Sequence, residues 1–409
     1  MKFVFISTPT FESWDWTNPD RVGIGGSETS HIEMAQRLAR LGHEVISFGP
    51  TGVMHQVDPA GVNWHDFEVL KDLIEITGTL GRPAMDVDVF VLYRCPELID
   101  FIPEGAPCWL ICQDVDYNLK GNVLTQERAN RLTRLVALCE TQAEYFRFRY
   151  PGARVSVSSN GIKRTLIEDI LQNPPERNPH RLMYASSPDR GLEFLLQIFP
   201  RIKELVPDAE LHTYYGFDNI EKVIAHRGPK SKAAIDAIRI QRMLDQPGVH
   251  VHGRTGQPDL LREWFKAGLW VHPSNFTETS CITCMDAQAC GAIPVTSPVW
   301  AIAENVQHGV FIDGNVRKEL VQARYVHQVF QLMAQPELQD EIRADMMPWA
   351  LDHFDWDVFA RQWEGWARMD VSTGQFNDAW NSLKTTCEGT APLEPVGDGS
   401  YLASVEVPA

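Results

Sequence analysis

Short apolar strand-like stretches alternate with helical ones along most of this chain, and the alternation runs twice. Residues 2–7, 44–48, 87–93, 108–112 and 135–138 are apolar runs of β type. Helical spacing separates them. Met34, Leu38 and Leu41 recur on one face ahead of Gly42, and a helix over 141–149 stops before Pro151. Ser30 and Glu33 have capping-box spacing, so the first helix is expected from about residue 30. A second series begins near Arg181, with strands over 181–185, 210–215, 249–252, 269–272 and 293–296 and helices over 192–205, 258–267 and 283–290. Such alternation gives a mainly parallel sheet covered on both faces. Two series in 409 residues predict an α/β chain of two Rossmann-like αβα domains facing across a cleft. The polar, Pro- and Asn-rich stretch 168–179 cannot build a core, which places the connection at 160–180. The expected domains are 1–165 and 166–350. Helices follow over 325–333, 337–347 and 357–369, the last inside a segment 351–372, and a Gly-, Pro- and acid-rich tail, 373–409, is expected to be partly mobile.

Composition narrows the function classes. No run of eighteen apolar residues exists, so a spanning helix is not expected. The opening MKFVFISTPT has no long apolar region or cleavage site and reads as the first strand. Eight scattered Cys have no framework spacing, which fits a reducing cytoplasm. A net charge of −17 argues against general affinity for polyanions. One stretch departs from it. Lys120 to Arg164 holds nine basic and three acidic residues, a local +6 against −23 elsewhere, with Tyr145, Phe146, Phe148 and Tyr150 interleaved. Arg128, Arg131 and Arg134 lie at its centre. A solvated helix face explains this strip, and so does an acceptor-side docking surface for an acidic glycan, an anionic lipid headgroup at a membrane surface or a nucleic acid with a hydroxylated base.

The most specific segment is His272-Pro-Ser-Asn-Phe-Thr-Glu278-Thr-Ser-Cys-Ile-Thr-Cys-Met-Asp286-Ala-Gln-Ala-Cys-Gly-Ala-Ile-Pro-Val295. Glu278 leaves a strand, and Asp286 lies one to two turns into the next helix. A helix start offers free N–H groups and a positive dipole to a phosphate, and a carboxylate beside it accepts hydrogen bonds from sugar hydroxyls. Gly23-Ile-Gly25-Gly26-Ser-Glu28 joins the first strand to the first helix, where glycines allow backbone to approach a diphosphate; a tight turn alone would also explain them. Asp114-Val-Asp116, Asp86-Val-Asp88 and Asp355-Trp-Asp357 each spell a D-x-D metal pattern, too common here to carry weight. Cys281 and Cys284 have zinc-like spacing but no second ligand pair, and His31, His43 and His226 show no ligand spacing, so no metal is assigned.

The 272–295 segment resembles the E-x7-E signature of retaining family-4 glycosyltransferases (glycosyltransferase group 1), with Asp286 in the place of the second Glu. The family has the two-domain GT-B fold. The resemblance covers roughly residues 1–370. It implies a hexosyltransferase-type enzyme that moves a sugar from a nucleoside diphosphate sugar, a UDP-sugar foremost, to an acceptor hydroxyl with retention, without metal or other cofactor. Glu278 would contact the donor sugar and Asp286 the ribose, with Thr279, Ser280 and Cys281 in the same donor loop. The Gly25–Gly26 turn would lie over the donor phosphates. In Tyr184-Ala-Ser-Ser-Pro-Asp-Arg190-Gly191, Arg190 stands at the family's lysine position as a clamp for the leaving diphosphate, while Ser186 or Ser187 replaces an earlier basic residue. Arg254, after Val251-His-Gly, would cover the base or serve the turn there. Gln113 and Asp114 stand where the family often has a His near the reacting carbon, and Asp114 either handles the acceptor hydroxyl or caps a helix. Asn160-Gly-Ile resembles the family's turn near the domain junction. Phe354-Asp-Trp356 resembles the segment after which the chain crosses back to the first domain. These departures keep a second reading open, a catalytically silent sugar-nucleotide-binding or scaffold protein.

Overall fold

The computed structural model describes residues 1–9, 12–80, 85–115 and 124–387. It contains two sheets. The first holds β1 (Lys2–Ser7), β2 (Glu44–Gly49), β3 (His55–Val57), β4 (Asn63–Asp66), β5 (Val89–Tyr93), β6 (Cys108–Ile111), β7 (Arg134–Ala137) and β8 (Val155–Val157), in the order β3-β4-β2-β1-β5-β6-β7-β8. The second holds β9 (Asn178–Tyr184), β10 (Glu210–Tyr214), β11 (Val249–Gly253), β12 (Ala267–His272), β13 (Ile293–Thr296) and β14 (Val310–Phe311), in the order β11-β10-β9-β12-β13-β14. All pairs are parallel except β3 with β4. Central strands such as β1, β5 and β12 are buried along almost their whole length because helices cover both of their faces. Parallel strands put every strand C-terminus on one edge of each sheet, and the loops there form the sites of such folds.

The first long helix, Gly26–Arg40, starts four residues before the expected position. Gly25 is its N-cap residue, so Ser30 and Glu33 are interior, and Glu33 is buried against Arg37 and Lys163 instead of capping. Gly42 takes the expected positive φ, +88°, after the last turn. Within the expected connection, Arg164–Leu171 is helical, and its Ile167 and Ile170 join the second domain's core. The hairpin-like β3 and β4 and the helices Phe67–Thr77 and Lys232–Met243 were not foreseen.

The last helix, Trp356–Cys387, leaves the second domain and packs on the first. Trp356, Ala360, Trp363 and Ala367 enter the core between the first sheet and the helix Gly26–Arg40. Trp363 Nε1 donates to Ser158 Oγ at 2.9 Å, and Trp109 Nε1 donates to Asp370 Oδ2 at 2.9 Å. Full burial of side chains this large contributes on the order of 3 kcal/mol each, enough to hold the segment down. Residues 373–387, expected as tail, continue this helix; residues 388–409 lie outside the described residues, as do Asp116 and Lys120. Among the described residues no helix is long and apolar enough to cross a membrane.

Candidate functional site

A cavity of about 230 Å³ lies where the C-terminal edges of the two sheets face each other. At its rim the domains touch backbone to backbone. Gly23 has φ +72°, and a Cβ on it would stand 2.5 Å from the Thr255 carbonyl oxygen. A Cβ on Gly256 would overlap the Asp20 carbonyl. The helix Gly26–Arg40 directs its first turn to this rim: Gly25 is extended (φ −64°, ψ 158°), and Gly26 and Thr29 line the cavity. The N–H groups of Gly26, Ser27 and Glu28 precede the first intrahelical bond, from Thr29 to the Gly25 carbonyl, which makes this end a ready site for an anion.

The second domain supplies the opposite wall. After β9 the chain makes a short 3₁₀ turn, Pro188–Arg190, and Gly191 at φ +127° lets it press on the Pro273 carbonyl. That turn places the Arg190 guanidinium 3.2 Å above the Phe276 ring and 3.9 Å from a Glu278 oxygen. The Glu278 side chain is 16% exposed; burial raises its pKa and Arg190 opposes the rise. Asp286, fifth residue of the helix Ile282–Ala289, is 2% exposed, and burial lifts its pKa to about 7 against a hydrogen bond from Gln257 and the charge of Lys163. Its Oδ1 and the Oε1 of Gln257 have no hydrogen-bond partner, and both residues line the cavity. Two buried unpaired acceptors on one wall cost free energy unless a ligand donates to them.

Arg190, Arg254, Glu278, Ser280, Cys281 and Asp286 thus share one cavity with Gly26. Thr279 does not: its Oγ1 donates to the Gln113 carbonyl at 3.0 Å, across to the first domain. Asn160 joins this brace, its backbone N–H donating to Ser280 Oγ at 3.1 Å and its Nδ2 to the Ser280 carbonyl at 3.2 Å. Asp114 lies on the first-domain side, 2.8 Å from Arg94 Nε, and Arg94 also reaches Ser27 Oγ at 3.3 Å from a strained φ of +61°. Arg94 carried no signal in the sequence, because its position depends on a backbone outlier at the end of β5. Glu12 was missed for a similar reason. It lies in an irregular loop, and it binds Arg254 bidentately from the other domain, at 2.9 and 3.0 Å.

The basic strip needs correction. Arg128 and Arg131 face Asp100, Arg131 also donates to the Ile102 carbonyl at 2.8 Å, and Arg134 is buried against Asp370 at 2.7 and 2.8 Å. Arg134 opens β7, so the trio sits at the sheet edge opposite the cavity. Phe146 and Tyr150 are core residues, not stacking platforms. Two D-x-D stretches are also engaged structurally: Asp88 accepts from the Lys2 N–H at 2.7 Å, Asp355 from the Asp357 N–H at 2.9 Å, and Asp357 pairs with Arg37 at 2.8 Å. Cys281 and Cys284 are buried, and burial pushes both thiols up, which disfavours the thiolates a zinc site needs.

Comparison with known proteins agrees with this geometry. The model of the family described as glycosyl transferases group 1 matches residues 180–334. A lipopolysaccharide 1,2-N-acetylglucosaminetransferase of Salmonella typhimurium is 22% identical over 201 residues, which is 46% of this chain and 50% of that protein, so the match spans half the relative's length. Sucrose-phosphate synthase of Thermosynechococcus elongatus has a similar structure, with TM-score 0.68, 14% identity, and 91% of this chain and 99% of that one covered. HepE of Anabaena, solved with UDP and glucose, gives TM-score 0.59 at 14% identity, with 89% and 98% covered. These likenesses in structure establish a shared fold. Residues 180–334 thus match the model of the group 1 glycosyl transferases, and the two facing parallel-sheet domains have the GT-B fold.

Proposed function

We propose that this protein is a glycosyltransferase that moves a hexose from a nucleoside diphosphate sugar, UDP-sugars first, to an acceptor hydroxyl with retention at the anomeric carbon. The observation that carries the reading is the pair of unpaired acceptors, Asp286 Oδ1 and Gln257 Oε1, on a cavity wall that also holds Arg190 and Glu278. A ribose diol supplies two donors of the kind that wall lacks. Arg190 and the first turn of the helix Gly26–Arg40 then face the diphosphate, and Glu278 orients the sugar. HepE structures that contain UDP or UDP-glucose favour a uridine donor.

In the reaction the bond from the anomeric carbon to the diphosphate oxygen breaks, and the acceptor oxygen bonds to the same face of that carbon. The acceptor proton passes to the departing diphosphate. Arg190 offsets the charge that grows on that group, which is the protein's main contribution to rate. Glu278, raised by burial yet beside a guanidinium, accepts hydrogen bonds from sugar hydroxyls. Asp114 is tied to Arg94 and therefore positions the acceptor side through that pair. The anionic acceptor lost its main support when the Arg128, Arg131 and Arg134 strip proved internally paired.

A thermal-shift screen against UDP-, GDP- and ADP-sugars tests the donor, followed by release of nucleoside diphosphate. The expected result is stabilisation by a UDP-sugar and its slow turnover. Tight donor binding with no turnover under any acceptor mixture would favour the silent binding protein, and no stabilisation by any sugar nucleotide would overturn both.

A further inference from the structure

The edge of the second sheet carries a cluster that transfer chemistry does not use. Alternation along β10 puts Glu210, His212 and Tyr214 on one face, and alternation along the edge strand β11 puts His250 and His252 on the matching face. His212 and His250 are register partners. Their ring centroids are 4.6 Å apart; His252 stacks on His212 at 5.1 Å and on Tyr214 at 4.5 Å. One ligand atom from each of Glu210, His212 and His250 lies within 4.8 Å of the others. His212 Nε2 is 3.3 Å from Glu210 Oε2, and its Nδ1 is 2.9 Å from His252 Nε2.

We propose that Glu210, His212 and His250 bind a divalent transition-metal ion such as Zn²⁺, with His252 as the hydrogen-bond partner that orients His212. His212 coordinates through Nε2 while its Nδ1–H donates to His252, the outer contact that ligating histidines characteristically make. Two imidazoles and one carboxylate suit Zn²⁺, Ni²⁺ or Cu²⁺ rather than Mg²⁺ or Ca²⁺, which prefer all-oxygen sites. Bonds of about 2 Å in a tetrahedron put ligand atoms roughly 3.3 Å apart. The Glu210–His212 separation already has that value, and the exposed His250 closes the remaining gap by side-chain rotation. The positive charge of Arg181, which is felt at His212, is offset by its pairing with Glu263, and Glu210 is 41% exposed with no cationic partner among its described ion pairs apart from His212. Three protein ligands leave positions for water. The ion would tie β11 to β10, and β11 runs directly into the loop that carries Arg254 and Thr255 to the cavity wall. It braces that wall and takes no part in bond breaking.

The test uses the full chain without an affinity tag, stripped with chelator. Calorimetry with Zn²⁺ should show one site with Kd on the order of micromolar or tighter. Co²⁺ should give an absorption spectrum of nitrogen and oxygen ligands with no thiolate charge-transfer band. His250→Gln, at an exposed position, should weaken Zn²⁺ at least tenfold, and His212→Gln should do the same. Zn²⁺ should raise Tm by a few degrees in wild type and in neither variant. No uptake of Zn²⁺ at 100-fold excess, unchanged affinity in both variants, or a thiolate spectrum would each overturn the proposal. Sugar-nucleotide binding is read separately, so failure here leaves the transferase reading standing.

Discussion

Glu12 of the first domain grips Arg254 of the second through two charge-assisted hydrogen bonds, 2.9 and 3.0 Å long, at the wall of the interdomain cavity. The carboxylate occupies the guanidinium that a donor phosphate or base would otherwise engage, and Arg254 and Lys222 hold its pKa below the usual range against the effect of burial. Glu12→Gln removes that competition. UDP should then bind roughly threefold to tenfold more tightly by calorimetry. Weaker binding in the variant would mean that Glu12 organises Arg254 for the donor instead of competing with it.

Glu278→Gln should lower kcat at least a hundredfold, about 2.7 kcal/mol of barrier, with little change in Tm. The residue lies in a loop, and its amide replacement keeps the volume. Single-turnover measurement of UDP release checks this, and wild-type kcat in the variant would remove Glu278 from the reaction.

Asp286 has a pH signature. Burial lifts its carboxyl to about 7 in the folded protein, so the folded state holds this proton more tightly than the unfolded chain. The resulting stability is present in full below about pH 4 and is lost as pH rises through about 7, by at most on the order of 4 kcal/mol. Asp286→Asn lacks this dependence. Urea unfolding should therefore show the variant gaining on wild type between pH 5 and pH 8. Asp286→Ala should also weaken UDP about tenfold or more, since it deletes an acceptor for a ribose hydroxyl.

Transfer should persist in EDTA within about twofold at 25 °C. Residues 86–88 and 355–357 hold the described D-x-D stretches in structural bonds, and Arg190 is present to offset diphosphate charge. Loss of turnover in chelator with rescue by Mn²⁺ would place a metal at the phosphates.

Arg128→Glu with Arg131→Glu should leave acceptor KM unchanged at low and high salt, because both residues lie at the far sheet edge. Arg134→Ala should instead destabilise the fold by about 3 kcal/mol, since it leaves the fully buried Asp370 carboxylate with only the half-exposed Arg154 at 3.2 Å and the Trp109 Nε1–H as partners. Denaturant midpoints and salt-dependent kinetics separate the two effects.

The strands of both series could be read because their apolar runs are unbroken, and Leu192–Leu205 and Ile293–Thr296 fall where the pattern puts them. Glu278 and Asp286 were legible for the same reason: a strand, a loop and a helix start in fixed order leave few places for two carboxylates. Short edge strands such as β3 carry too few residues for a period. Arg134 misled because a charge on a buried strand looks like any other arginine until its partner, more than 230 residues away, is known. Glu12 and Arg94 owe their places to irregular backbone, which no periodicity reports. His250 and His252 did leave a trace, an i, i+2 pair on a strand, but their third partner is on β10, and sequence alone does not align the two strands.

The helix that returns from the second domain sets the order of events on the ribosome. Trp109 and Arg134 emerge early, yet the carboxylate that receives both is Asp370. At about 5–20 residues per second, roughly 10–50 s pass between them. Through that interval the nascent first domain holds an open seam along β1, β5 and β6 and a guanidinium with its permanent partner still unmade. The domain that begins first is completed last, and a chain stopped short of residue 356 presents that seam to chaperones and proteases.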